Sequence, residues 1–292
     1  MKRIIICIPL LLIFMIGCDS GEKISDAYGN FEADPVMVSS QAKGMLISLA
    51  LEEGMRLKEN EIVGVVDTTL LHLKKAQLIA AKRTATTKVK TINAQLAAQQ
   101  VQIDNLQREY QRVQNLLEGG AATKKQIDDI SGNIALLKAQ KASLETRKST
   151  IYAELKSFDI QLMQISDQIE KSKILNPITG IVLQKYKRYG ETAVPGQIVY
   201  KIANMDHLFL RAYISGDQLS KVHTGQEVTV RYDIENGVAE LPGIITWIAA
   251  NAEFTPKVIQ TREERVNLVY AIKIKVENDG SLKIGMPGEV VL

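Results

Sequence analysis

The sequence predicts an α+β chain built from a small β-domain split into two halves, a long antiparallel helical hairpin inserted between the halves, and a small β-barrel after them. Three observations carry this. Within the stretches 39–67 and 176–204, residues pair at a single offset of 136 positions. The segment between them carries apolar residues at the spacing of a two-stranded coiled coil. The last third alternates apolar and polar residues in short runs separated by turn residues.

The chain opens on a segment that does not belong to the folded part. Lys2 and Arg3 form a positive start, Ile4 to Ile16 a short apolar run, and Gly17-Cys18 closes it with a small residue before cysteine. The run is short for a membrane span and has the layout of an export signal. It resembles a bacterial lipoprotein signal, which implies that residues 1–17 are removed and that Cys18 carries lipid as the first residue of the mature chain. An uncleaved anchor is the alternative, and both place the chain outside the cytoplasm at a membrane. Cys7 leaves with the signal, so no thiol remains for a disulfide, a metal or nucleophilic chemistry. Without Lys2 and Arg3 the 36 basic residues become 34 against 33 acidic, a balance of +1. That balance gives nucleic acid no electrostatic footprint.

Residues 18–35 form a linker in which the stretch around Tyr28 offers a first barrel strand, and 36–69 form the first β-half. In the 136-residue alignment Gly44 falls on Gly180, Gly54 on Gly190, Asn60 on Gly196, Ile62 on Ile198, Val63 on Val199 and Val66 on Ile202. Each copy runs Gly, apolar strand, Gly, polar turn, strand. Gly and Asn are the residues that accept positive φ in such turns at little steric cost. Two halves of one domain, the second spanning 173–203, therefore flank an insertion.

The insertion, 70–172, holds no proline, and its only glycines are Gly119, Gly120 and Gly132. Seam positions read Ala85, Val89, Ile92, Leu96, Gln99, Ile103, Leu106, Tyr110, Val113 and Leu117. After Gly119-Gly120 they resume as Ile127, Ile130, Ile134, Leu137, Lys141, Leu144, Lys148, Ile151, Leu155, Phe158, Leu162, Ile165 and Ile169. So sustained a heptad pattern is a coiled-coil signal. Gly119-Gly120 supplies a left-handed helix stop, and Thr123 with Gln126 has the spacing of a capping box. Two arms joined by so short a tip, near 117–124, fold back on each other. At 1.5 Å per residue, arms of about 50 residues reach about 75 Å.

From 204 to 292 the runs HLFLRAYI, EVTVRYDI, PGIITWIAAN, NLVYAIKIKV and GEVVL read as strands, with turns at Gly225, Asn236-Gly237, Asp279-Gly280 and Pro287-Gly288. Short, evenly spaced strands of this kind predict a small barrel.

With these segments in order, the chain resembles the periplasmic adaptor subunits, or membrane fusion proteins, of the HlyD family over its mature length. The segments GMLISLALEEGMRLKENEIVGVVD and NPITGIVLQKYKRYGETAVPGQIVYKI look like that family's lipoyl-like halves, and MDHLFLRAYISGDQLSKVHTGQEVTV like its barrel. FTPKVIQTREERVNLVYAIKIKV is similar to a segment of adaptors that serve ABC-type exporters. The resemblance implies an elongated multidomain molecule and a homo-oligomeric, hexameric ring. It also implies an inner-membrane transporter as one partner and a TolC-like outer-membrane factor as the other. The location implied is the periplasm of a Gram-negative bacterium, lipid-anchored at the inner membrane. The last barrel strand runs to Leu292, leaving no room for the further domain of RND-pump adaptors, which favours an ABC permease and ATPase. Channel-engaging adaptors often carry Arg, three residues, Leu, six residues, Ser at the tip. Here Arg112, Leu116 and Thr123 occupy those places, with threonine in place of serine.

No enzyme is predicted. His72, His207 and His223 have no metal-binding spacing, no GxxxxGK[ST] loop is present, and Glu52-Glu53 and Asp128-Asp129 have the pattern of solvated faces. Two other classes stand beside the adaptor. One is a membrane-anchored structural coiled-coil protein. The other is a lipoyl or biotinyl carrier, which would need a modified lysine where this chain has its hairpin. No cofactor is expected.

Overall fold

The computed structural model describes residues 25–235, 237–254 and 268–292. In chain order the elements are β1 (Ala27–Glu32), β2 (Pro35–Ser39), β3 (Gly44–Leu49), β4 (Arg56–Leu57) and β5 (Ile62–Val66), then α1 (Thr69–Glu118) and α2 (Lys124–Lys171). There follow β6 (Lys173–Leu175), β7 (Gly180–Lys185), β8 (Thr192–Ala193), β9 (Ile198–Ala203) and β10 (His207–Ser215). The last elements are β11 (Glu227–Ile234), β12 (Gly237–Ile248), β13 (Glu253–Phe254), β14 (Leu268–Glu277) and β15 (Pro287–Val291). They group into two compact units, one holding the barrel and the other the hairpin with most of the split β-domain.

The barrel closes because its sheet order, β10-β1-β15-β11-β12-β14, returns on itself through a β10–β14 pairing, with β13 added beside β14. Every ladder is antiparallel. Period-two alternation fills the interior: Leu208, Leu210, Ala212 and Ile214 of β10 face inward with Val230, Ile272, Ile274 and Val290, all at most 1% exposed. The strand anticipated around Tyr28 is β1, which bridges β10 and β15. One turn falls elsewhere than predicted. Pro287-Gly288 opens β15, and the turn sits at Gly285, with φ +87°. Gly288 is opposite Gly29 in the ladder, and a Cβ there would lie 2.8 Å from Leu210 and 2.9 Å from Phe31, so the glycine serves packing rather than chain reversal.

The split domain forms two four-stranded sheets, ordered β2-β9-β7-β4 and β6-β5-β3-β8. Each takes two strands from either half. Adding 136 to the residue numbers carries β3 onto β7, β4 onto β8 and β5 onto β9, and the last three residues of β2 onto β6. The same shift maps the first sheet order onto the second. Hydrogen bonds follow it. Ser40 N donates to Gln197 O and Gly196 N to Ser40 O, each at 2.9 Å. In the other half Asn176 N donates to Glu61 O at 2.9 Å and Asn60 N to Asn176 O at 2.8 Å. Gly54 N reaches Val182 O at 2.8 Å, and Gly190 N reaches Leu46 O at 2.9 Å. The turn residues adopt left-handed conformations in pairs: Gly54 and Gly190 at φ +83°, Asn60 at +63° and Gly196 at +82°. Gly44 and Gly180 begin strands instead, where a Cβ would meet Val66 Cγ1 at 2.8 Å and Ala203 O at 2.2 Å.

Candidate functional site

The hairpin is the part of the molecule with no role in closing a β-core, so its geometry is where a function is sought. At its base the chain leaves β5 and re-enters at β6 side by side: Val66 N donates to Ser172 O at 2.9 Å. Asp67 starts α1 by accepting from the Thr69 amide at 2.8 Å and its hydroxyl at 2.7 Å. The carboxyl is held below its ordinary range by those two bonds, the hydroxyl contributing more. Ser172, buried at the end of α2, donates its hydroxyl back to Gln168 O at 2.9 Å.

Along the arms the seam follows the heptad reading. All ten seam residues named in α1 and all thirteen in α2 are buried or half-buried. Ala85, Val89, Ile92, Ile103 and Val113 of α1 are buried, as is Ile165 of α2. Lys82 and Asp159 pair across the base half, and Gln99 reaches Gln140 across the middle at 2.8 Å.

The tip is a built turn. Gly119 N, Gly120 N and Ala121 N donate to Asn115 O, Leu117 O and Leu116 O at 3.3, 3.0 and 2.8 Å, using the carbonyls that the end of α1 leaves open. Gly120 supplies the left-handed residue at φ +76°, while Gly119 stays at −83°. Thr123 opens α2 with a complete capping box. Its amide donates to Gln126 Oε1 at 2.8 Å, its hydroxyl donates to the same oxygen at 3.1 Å, and Gln126 N donates to the hydroxyl at 3.4 Å. Arg112 and Leu116, one turn apart on α1, both lie outside the seam. The Arg112 side chain is 69% exposed and ion-paired to Glu109, and Leu116 is 46% exposed. Thus Arg112 and Leu116 present themselves on one outward face, whereas the Thr123 hydroxyl is engaged within its own cap. Glu109 was not singled out from the sequence, although its three-residue spacing from Arg112 on a helix is the signal for such a pair. Cys18 lies outside the described residues. Among the described residues no three His, Cys, Asp or Glu side chains cluster as a metal site would, and no helix is long and apolar enough to cross a membrane.

Solved structures share this architecture. MacA from Actinobacillus actinomycetemcomitans superposes with a TM-score of 0.53 at 22% identity, over 91% of this chain and 78% of that one. The membrane fusion protein Spr0693 from Streptococcus pneumoniae R6 does so with a TM-score of 0.50 at 16% identity, over 90% and 96%. The chain therefore has the fold of the membrane fusion proteins, as its resemblance to the HlyD family implied. In sequence it is similar to a UPF0194 membrane protein of Acidithiobacillus ferridurans, 25% identical over 91% of this chain and 86% of that one. A UPF0194 membrane protein of Citrobacter koseri is 26% identical over 89% and 86%. No family model matches the chain.

Proposed function

We propose that this chain is a periplasmic adaptor, anchored to the inner membrane through lipid on Cys18. A ring of its copies joins an exporter, of the ABC type, to a TolC-like outer-membrane channel. The observation that carries the reading is the hairpin: two arms of 50 and 48 residues, zipped along their length and closed by a capped tip. They issue from a split domain that needs nothing from them but adjacent ends. A side chain such as Leu116, apolar, outside the seam and 46% exposed, suits a contact with another helical tip. The Arg112 guanidinium beside it offers a rigid fork of donors. The two-sheet unit is, on this reading, the lipoyl-like domain of the adaptors, with its carrier lysine turn replaced by the hairpin.

Complexes purified from detergent-solubilised membranes through a tag on this chain test the reading. A permease, its ATPase and an outer-membrane channel should co-purify. Leu116→Asp, which leaves the seam intact, should lose the channel while retaining the inner-membrane components and abolish export. Recovery of the chain alone, or of an unchanged complex with Leu116→Asp, would favour a structural coiled coil whose tip is only a turn.

A further inference from the structure

The apolar seam of the hairpin is interrupted at one level. At that level two of three consecutive α2 seam positions, Lys141 and Lys148, are lysines, with Leu144 between them. Lys148 lies over the Tyr152 ring at 5.9 Å. Gln99, itself a seam residue, donates from Nε2 to Gln140 Oε1 at 2.8 Å and to the Leu137 carbonyl at 3.3 Å. Beside it Lys141 Nζ donates to Gln100 Oε1 at 2.6 Å, and Gln100 Nε2 donates to Asp104 Oδ1 at 2.7 Å. Lys141 and Asp104 are thus linked through the Gln100 amide, a hydrogen-bonded chain that joins the two arms.

We propose that this polar layer is a register-keeping joint, the level at which the tip half of the hairpin bends relative to the base half without the arms sliding. Two physical arguments lead there. Interlocked apolar knobs resist splay because separation by an ångström forfeits much of their contact. Glutamine and lysine side chains instead keep a hydrogen bond over small displacements by changing rotamer. Both ends of the hairpin are tied, by the Val66–Ser172 bond and the capped tip, but between them a heptad seam by itself accepts slips of seven residues with nearly equal burial, so the middle of the arms gains from a further safeguard. Here the safeguard is the Lys141–Gln100–Asp104 chain, which has a carboxylate at its far end. From Thr69 to Ile103 α1 carries no Asp or Glu, so Asp104 is its first carboxylate. If α2 slid one heptad towards the base, Lys141 would sit in the seam opposite a stretch with no acid. A polar residue at a single seam position is a known way of fixing register at some cost in stability.

Hydrogen exchange on the full-length protein tests the joint. Amides in 96–104 and 137–148 should exchange about tenfold or more faster than those in 85–92 and 151–162, because the layer opens locally. Replacing the layer with apolar contacts, in Gln99→Leu with Lys141→Leu, should bring the rates level. Equal rates along the wild-type arms, or a difference that survives the double substitution, would overturn the proposal. Asp104→Asn guards against a misfolded double variant: it preserves shape, and it should accelerate exchange in the middle peptides alone. Acceleration spread evenly from base to tip would overturn the proposal as well.

Discussion

The two halves of the split β-domain share a backbone and differ in what they bury. Ser40 and Asn176 occupy equivalent places, both nearly inaccessible, with matching main-chain bonds. Ser40 uses its hydroxyl locally, donating to Ala42 O at 2.8 Å and accepting from Ala42 N at 3.2 Å. Asn176 reaches further: its amide donates to Lys58 O at 2.7 Å and Ile178 O at 2.6 Å, and its oxygen accepts from the Tyr200 hydroxyl at 3.0 Å. Tyr200 is wholly buried, its phenol driven above its ordinary range first by desolvation and then by the Glu61 charge. Its counterpart in the first half is Gly64, where a Cβ would lie 2.9 Å from Leu49 and 3.0 Å from Ser48 O. Volume has been moved from one half to the other. The lesson is that the turns and main-chain bonds set the repeated frame, while a single asymmetric cluster ties the sheets, joining β9 to the chain beyond β6 and the turn before β5.

This comparison can be broken most severely at the aromatic. Tyr200→Ala should cost about 3–5 kcal/mol in chemical denaturation, as for other large buried aromatics, since it empties the cluster and strands the Asn176 oxygen. Next, Asn176→Ala should cost about 2–3 kcal/mol by leaving a buried phenol without its acceptor, whereas Ser40→Ala should cost about 1 kcal/mol or less. Equal losses at the two sites would show that the cluster is not the special tie described here. Gly54→Ala and Gly190→Ala sharpen the symmetric side. Both force alanine into the left-handed region, at about 1–2 kcal/mol each, and the two values should agree. The smallest effect is expected from Gly196→Asn. Its melting temperature should stay close to wild type, because Asn60 already holds the equivalent turn and asparagine tolerates that conformation.

Much of the frame was legible before any coordinates. The seam could be read because 3.5-residue periodicity records which face of each helix is covered, and even its exceptions, Gln99, Lys141 and Lys148, were visible as polar letters in an apolar series. The offset between halves was legible through Gly54, Gly190 and the Asn60–Gly196 pair, where few residue types fit. What stayed hidden is what periodicity cannot encode. Heptads repeat, so nothing in them says that Gln99 meets Gln140 rather than a residue seven places away. Three-residue β6 is too short to alternate. Pro287-Gly288 has the composition of a turn, and only the opposing Gly29 reveals it as a strand. At the tip, the spacing that marked Thr123 as a cap and the spacing that placed it in a docking motif are the same letters. The geometry commits its hydroxyl to the cap.

The bond from Val66 N to Ser172 O, 2.9 Å long, sets the terms on which the hairpin is grafted. All that the β-domain asks of the inserted segment is that its ends return to neighbouring points, in phase. Any hairpin whose arms gain or lose a whole heptad each, about 10 Å of reach, meets that demand without a change elsewhere. The arm is a ruler cut in steps of seven residues, one that can be lengthened or shortened while the β-frame stays unaltered.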